Sequence, residues 1–174
     1  MNFFDVVKKR RSIRSFLPAP IAEEDLRRIL DAANAAPSAG NLQSYEIYVV
    51  MDKRRRESLA RAAHEQLFVA CAPVSLVFCT NTERCAERYR KRADLYAVQD
   101  ATIACTFAML AAAAQGLATV WVGAFETDDV RRLIGAPPGI VPVAILPVGR
   151  PAGAPEAPAR RSLEDLVHWE GSRV

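Results

Sequence analysis

The sequence predicts a single mixed helix-and-sheet domain, and three observations carry that prediction. A nearly continuous apolar run of strand length stands at 74–79, with a second at 118–122, and both read as buried strands. Residues 97–115 between them form a helical pattern apolar nearly all round, which reads as a core helix. Helical and strand patterns interleave along the chain with no internal repeat and no break in the middle. At 174 residues, 51 % hydrophobic and 25 % charged, the chain is long enough for one sizeable core.

Taken in order, Asn2 is placed to cap a helix reaching residue 9, with Phe3, Val6 and Val7 on one face. Pro18 and Pro20 then break the backbone. Glu23, Glu24 and Asp25 open the next helix, where carboxylates suit the positive end of the helix dipole. Its apolar residues Leu26, Ile29, Leu30 and Ala33 have helical spacing, and it stops before Pro37. Residues 45–51 read as a strand, 53–65 as a helix leading into 66–72, and 82–96 as a polar helix. In the long helix that follows, Ile103, Phe107, Leu110 and Ala114 recur every three or four residues, and its alanines allow close approach of neighbours; Gly116 ends it. Thr127 caps a helix with Asp128 and Asp129 in its first turn, closed by Gly135. Residues 141–148 are a strand whose Pro142 and Pro147 predict an edge position or one-sided pairing. A Pro/Ala-rich segment, 151–158, leads to a short capped turn beginning at Ser162 and running through Trp169.

Composition removes several functions. The net charge of +3 does not demand nucleic acid or an anionic membrane. The basic runs at 8–11 and 53–56 lack interleaved aromatic residues, and the second reads as solvated surface. The four cysteines include no Cys-x-x-Cys pair, and His64 and His168 stand far from matching partners, so no zinc pattern exists. Cys71, Cys79 and Cys105 lie in apolar runs and read as small core residues. No secretory leader pattern opens the chain, and the most apolar run, 103–114, falls short of the ~20 residues a membrane span needs. The expectation is a reduced, cytoplasmic protein with no metal and no membrane. Neither Gly-x-Gly-x-x-Gly nor a Walker loop is present, which disfavours those nucleotide sites. No Gly-x-Ser-x-Gly elbow and no His–carboxylate pattern points to a side-chain nucleophile. Glu23-Glu24-Asp25 reads as a helix start, and His168-Trp169 as packing.

Two stretches carry chemistry. Arg10-Arg11-Ser12-Ile13-Arg14-Ser15-Phe16 crowds three guanidinium forks and two hydroxyls into seven residues. An extended run puts Arg10, Ser12 and Arg14 on one face and Arg11, Ile13 and Ser15 on the other, with Ile13 the core contact. It is either an anchor for a phosphate-bearing ligand or a basic turn closing a helix. Pro37-Ser38-Ala39-Gly40-Asn41-Leu42-Gln43-Ser44 is a loop of small and amide residues between a helix and a strand. It either presents donors and acceptors to a ligand or merely connects, with Gly40 and Asn41 supplying positive φ.

These stretches, together with Gly116-Leu117-Ala118-Thr119-Val120-Trp121-Val122-Gly123 and Leu146-Pro147-Val148-Gly149-Arg150-Pro151, resemble the FMN-dependent nitroreductase family in its short-chain branch. The resemblance covers almost the whole chain. It implies an α+β fold with a mostly antiparallel central sheet flanked by helices, one flavin-binding domain over 1–174, and a homodimer with FMN at the interface. The segment 151–174 would pack on the partner subunit. Arg10, Ser12 and Arg14 match the family's flavin anchor, the first two toward phosphate and ribityl, the third toward the N1/C2 carbonyl edge. Arg11 also comes within reach of the phosphate. Pro37, Ser38, Asn41 and Gln43 match the loop laid over the flavin by the partner, Gly123 the backbone turn near N5, and Gln66 the pyrimidine edge. Gly149 and Arg150, with Arg160 or Arg161, match a phosphate cluster whose contacting arginine is left open. The family loop often continues Gln-Pro-Trp, whereas this chain has Gln43-Ser44-Tyr45.

The implied activity is ping-pong hydride transfer from NAD(P)H through FMN to a nitroaromatic, a quinone or a similar electron-poor acceptor. No protein acid, base or nucleophile is needed, because the cofactor carries the hydride and the protein supplies position. A related flavin reaction (reductive dehalogenation or flavin fragmentation) and a non-catalytic flavin-binding module are the alternatives.

Overall fold

The computed structural model describes residues 2–153 and 155–171. Its centre is a four-stranded sheet of β1 (Tyr45–Val50), β2 (Val74–Asn81), β3 (Ala118–Thr119) and β4 (Ile140–Gly149), in the order β1-β2-β4-β3. All three pairings are antiparallel, as the family resemblance implied.

Alternation along β2 explains why its sequence is apolar without a break. Val74, Leu76 and Phe78 point to one face, where they meet α2 (Glu23–Asn34) and α6 (Ala93–Ala114). Val77 and Cys79 point to the other, where they meet α3 (Lys53–Ala62), α4 (Phe68–Cys71) and α7 (Thr127–Leu133). β4 divides in the same way, with Ala144, Leu146 and Val148 on the first face and Ile140 and Ile145 on the second. A strand covered on both sides has no polar face to show. The remaining helices, α1 (Phe3–Lys9), α5 (Glu83–Tyr89) and α8 (Leu163–Leu166), lie outside this sandwich.

The caps follow the sequence closely. Asn2 Oδ1 accepts the Asp5 N–H at the start of α1, and Ser162 Oγ accepts the Asp165 N–H at the start of α8. Gly116 and Gly135 close α6 and α7 with φ of 72° and 70°. Thr127 is the first residue of α7 and not its cap, which is Glu126.

Several expectations need correction. β4 is an interior strand. Its prolines are accommodated because β3 covers only Val148 and Gly149, with a further bridge between Val122 and Ile145, so Pro142 is paired on the β2 side alone, beside a register shift at Phe78/Cys79. The strand read at 118–122 shrinks to two residues and that bridge. The polar helix read at 82–96 breaks early, at Arg90 with φ 45°, and α6 begins at Ala93. α3 ends at Ala62 because His64 and Glu65 take φ of 55° and 58°.

In α6 the buried stripe is the small one, Ala97, Ala101, Ala104, Cys105, Ala108 and Ala112, while Phe107 is exposed. A helix seated directly on a sheet and on α2 has room for methyl groups and little more. The helical run 83–114 is long and apolar enough to cross a membrane by length and composition, longer than the run 103–114 suggested. Here α6 packs on α2 and on the sheet. Cys71 is exposed, because a four-residue helix turns only Val69 inward. Arg56 does not sit in solvent: its guanidinium donates to the carbonyls of Ala70 and Ala72 and ties α3 to the end of α4.

Candidate functional site

The arginine-rich run leaves α1 and becomes an extended strap along the open side of β3. Ser12 bridges Thr119 in parallel, and the Ile13 N–H donates to the Thr119 carbonyl at 3.0 Å. Phe16 bridges Pro151, the Leu17 N–H donates to Arg150 O at 2.9 Å, and the Ala152 N–H donates to Ser15 O at 3.0 Å. Ile13 and Phe16 drop into a small cluster with Ala72, Ala118 and Phe68. Arg10, Ser12 and Arg14 line one cavity of about 660 Å³ with Glu156 and Arg160, and Arg11, which alternation placed on the opposite face, lines it as well.

The electrostatics of this cavity are unresolved within the chain. Arg10 Nη1 is buried and meets no hydrogen-bond partner among the described residues. Burial lowers the Arg10 pKa, and the neighbouring cations Arg160 and Arg11 lower it further. Glu156 lines the cavity but forms no ion pair with them among the described residues. Arg11 is occupied otherwise: its Nη1 donates to Lys8 O at 2.7 Å and Arg10 O at 2.9 Å, closing α1. The helix-closing reading thus holds for Arg11, while Arg10 turns toward the cavity.

The C-terminal arginines separate in the same way. Arg160 stands by Arg10. Arg161 Nη2 donates to Asp165 O at 2.6 Å, closing the turn of α8. Arg150 is exposed and does not line the cavity. Gly149 is buried, and a Cβ there would stand 2.7 Å from Pro73 Cδ and 3.0 Å from Phe16 Cδ1. Its glycine lets the strap lie close to the sheet.

Beyond Arg14 the arc continues. The Arg14 guanidinium lies over the Phe68 ring, 5.9 Å from its centroid. Two residues earlier, Gln66 Nε2 donates to Ala63 O at 2.9 Å and Ala124 O at 3.1 Å, pinning the turn that carries Gly123. A Cβ on Gly123 would meet Trp121 Nε1 at 3.0 Å.

The loop 37–43 is elsewhere. Pro37 and Ser38 line a separate cavity of about 530 Å³ against α6, with no residue in common with the arginine cavity. Its polar groups satisfy one another. Ser38 Oγ accepts the Gln43 N–H at 3.0 Å, and Gln43 Nε2 lies 3.1 Å from that hydroxyl and 2.7 Å from Asn41 Oδ1. Gly40, Asn41 and Gln43 all take positive φ.

The family model described as "Nitroreductase family" matches residues 7–81 and 66–150. The chain belongs to the nitroreductase family. Among curated relatives it is 32 % identical over 174 residues to FMN reductase (NAD(P)H) of Bacillus subtilis, covering 92 % of this chain and 70 % of the relative. It is 31 % identical over 175 residues to NADPH-flavin oxidoreductase of Vibrio harveyi, covering 96 % and 73 %. Among solved structures, nitroreductase A from Vibrio parahaemolyticus superposes with a TM-score of 0.90 at 31 % identity, over 99 % of this chain and 77 % of that one.

Two residues of this nitroreductase-family site escaped the sequence reading. Phe68 gave no signal beyond its apolarity. Asp100 did: it is a carboxylate amid the apolar positions of α6 and is 2 % exposed, and a charge so placed needs hydrogen-bond partners. Among the described residues no group of three His, Cys, Asp or Glu side chains is placed to hold a metal ion.

Proposed function

We propose that this chain is an NAD(P)H-dependent flavin oxidoreductase that holds FMN in the arginine-lined cavity and reduces nitroaromatic, quinone or similar electron-poor acceptors. The observation that carries the reading is Arg10 Nη1, buried and without a hydrogen-bond partner among the described residues, beside Arg11 and Arg160. A phosphate monoester, with about two negative charges and three acceptor oxygens, supplies what that cluster lacks. The donor set therefore fits FMN.

FMN, when bound, supplies the hydride carrier between the nicotinamide and the acceptor. Arg10 and Arg160 take the phosphate, with Ser12 donating its hydroxyl beside them. Arg14, steadied over Phe68, offers a fixed cation to the N1/C2 carbonyl edge, where preorganised charge is most effective. Gln66 spends its amide N–H groups on Ala63 and Ala124 and keeps Oε1 free to accept from the pyrimidine edge. Gly123 presents its backbone N–H toward N5 with no side chain in the way. Arg11, Arg150, Arg161 and Gly149 support the phosphate end through the backbone and the charge of the region.

The chain acts as one flavin domain in a homodimer, with the loop Pro37, Ser38, Asn41 and Gln43 of a second copy laid over the flavin. The support is an apolar exterior: Phe3, Phe4 and Val7 on α1, Leu95, Val98 and Phe107 along α6, and Leu163, Leu166 and Trp169 in the tail are all exposed. The segment 151–174 packs on the second copy; residues 154 and 172–174 of it lie outside the described residues. Four cysteines without a disulfide suit the reducing cytoplasm.

The test is the visible spectrum of the purified protein, followed by NAD(P)H oxidation with and without a nitroaromatic or quinone. A yellow protein with acceptor-dependent turnover is expected. A colourless protein that refuses FMN at micromolar concentration overturns the reading.

A further inference from the structure

We propose that Asp100 is the positioning residue that sets the shape of the flavin-covering loop, acting through the backbone and touching neither cofactor nor substrate. This rests on the flavin reading above. Asp100 projects from α6, 2 % exposed, and faces the loop. Its Oδ1 accepts the Ala39 N–H at 2.8 Å, and its Oδ2 accepts the Ser44 N–H at 3.2 Å. The two donors stand at either end of the turn that contains Gly40, Asn41 and Gln43, all with positive φ. A buried carboxylate with no cation paired to it among the described residues is stabilised by N–H groups, and here one carboxylate ties both ends of the turn to one helix.

The turn is braced from the other side by α5. The Arg84 Nε donates to Leu42 O at 3.3 Å, and the ends of the Arg88 and Tyr89 side chains lie against Gly40, where a Cβ would stand 2.7 and 2.6 Å from them. The loop is therefore held between α5 and Asp100, with its Ser38–Asn41–Gln43 network formed between them. A neutral amide at 100 keeps one acceptor oxygen and turns an N–H₂ group toward the other donor, so one end of the turn is released.

The experiment compares the full-length wild type with Asp100→Asn and Ala39→Pro. The second variant deletes the N–H that Oδ1 accepts and leaves α6 untouched. Ser38, at ψ 158°, already has the extended backbone that a following proline requires, and position 39 opens a short 3₁₀ turn where proline is tolerated. Two readouts are taken. In the flavin-free protein, hydrogen exchange at the Ser44 amide should quicken at least tenfold in both variants, with β2 amides unchanged. With FMN, the visible circular dichroism of the bound flavin should change, and the acceptor KM should rise at least fivefold while kcat falls less than twofold.

Unchanged exchange at Ser44 in the folded variants overturns the role of Asp100, whatever the flavin does. Faster exchange with wild-type flavin dichroism and KM overturns the link to the site. A wild type that refuses FMN overturns the flavin reading, and the exchange result still decides whether Asp100 shapes the loop. Should Asp100→Asn fail to fold, Ala39→Pro alone carries the test.

Discussion

In the strap 10–17 the backbone is tied down while the side chains wait; in the loop 37–43 the side chains are tied to each other and the backbone is held by a distant carboxylate. Ser12, Ile13, Ser15, Phe16 and Leu17 all bond or bridge to the sheet or to the segment after it, yet Arg10 Nη1 has no hydrogen-bond partner among the described residues. Ser38, Asn41 and Gln43 form a closed network. The strap turns like-charged guanidinium groups toward a cavity, whereas the side chains of the loop pair among themselves.

This contrast can be broken most easily at Arg10. Arg10→Ala should weaken FMN binding about a hundredfold, roughly 2.7 kcal/mol, measured by quenching of free FMN fluorescence. A loss below threefold would mean that the buried guanidinium does not meet the phosphate. Next comes the loop. Gly40→Ala places a Cβ 2.6 Å from Tyr89 Oη and 2.7 Å from Arg88 Nη1, at φ 57°. It should cost about 1–2 kcal/mol of stability by denaturant midpoint while leaving the phosphate end intact.

The three C-terminal arginines sharpen the comparison further. Arg160→Ala should raise the FMN dissociation constant about tenfold, near 1.4 kcal/mol, and inorganic phosphate should compete less well. Arg150→Ala and Arg161→Ala should stay within about twofold of wild type. A larger loss for Arg161 than for Arg160 would reverse the assignment.

The smallest effect belongs to the frame between the two regions. Burial pushes the Cys79 thiol up to about 12 and the Cys105 thiol higher still. The folded state thus keeps protons that the unfolded chain loses above its ordinary value of 9.0. Stability from these groups is intact below that pH and is lost as pH climbs from there toward about 12. A thermal-melt series should show the decline beginning near the lower figure, and Cys85→Ser should not abolish it. Below that range Cys71 alone of the four thiols should react with an alkylating reagent, since the others are buried.

Much of the fold was legible. Short-range rules place a helix start at Asn2, a stop at Gly116 and a strand over 74–79, because caps, glycines and apolar periodicity act within a few residues. Longer-range contacts were misread where a local pattern admits two packings. Phe107 shares helical spacing with Ile103 yet is exposed, because the sheet selects the alanine face of α6. The prolines of β4 suggested an edge position or one-sided pairing, and the second holds: β4 is interior, but Pro142 is paired on the β2 side alone, where β3 does not reach.

The site divides along the same line. That the arginine run and the small amide loop can present donors and acceptors follows from residue types in order. That they line two separate cavities, and which guanidinium is left without a partner among the described residues, does not. Arg10 and Arg11 are neighbours with the same side chain and both line the cavity, yet Arg11 Nη1 is spent on the carbonyls of Lys8 and Arg10 while Arg10 Nη1 meets no partner among the described residues. The same holds for Arg160 against Arg161, and for Asp100, whose partners lie 56 and 61 residues away in the chain. Sequence determines the chemistry a residue can offer and the local conformation it prefers. Only the tertiary structure decides where a long or buried side chain finds its partner, because that depends on packing between segments distant in the chain.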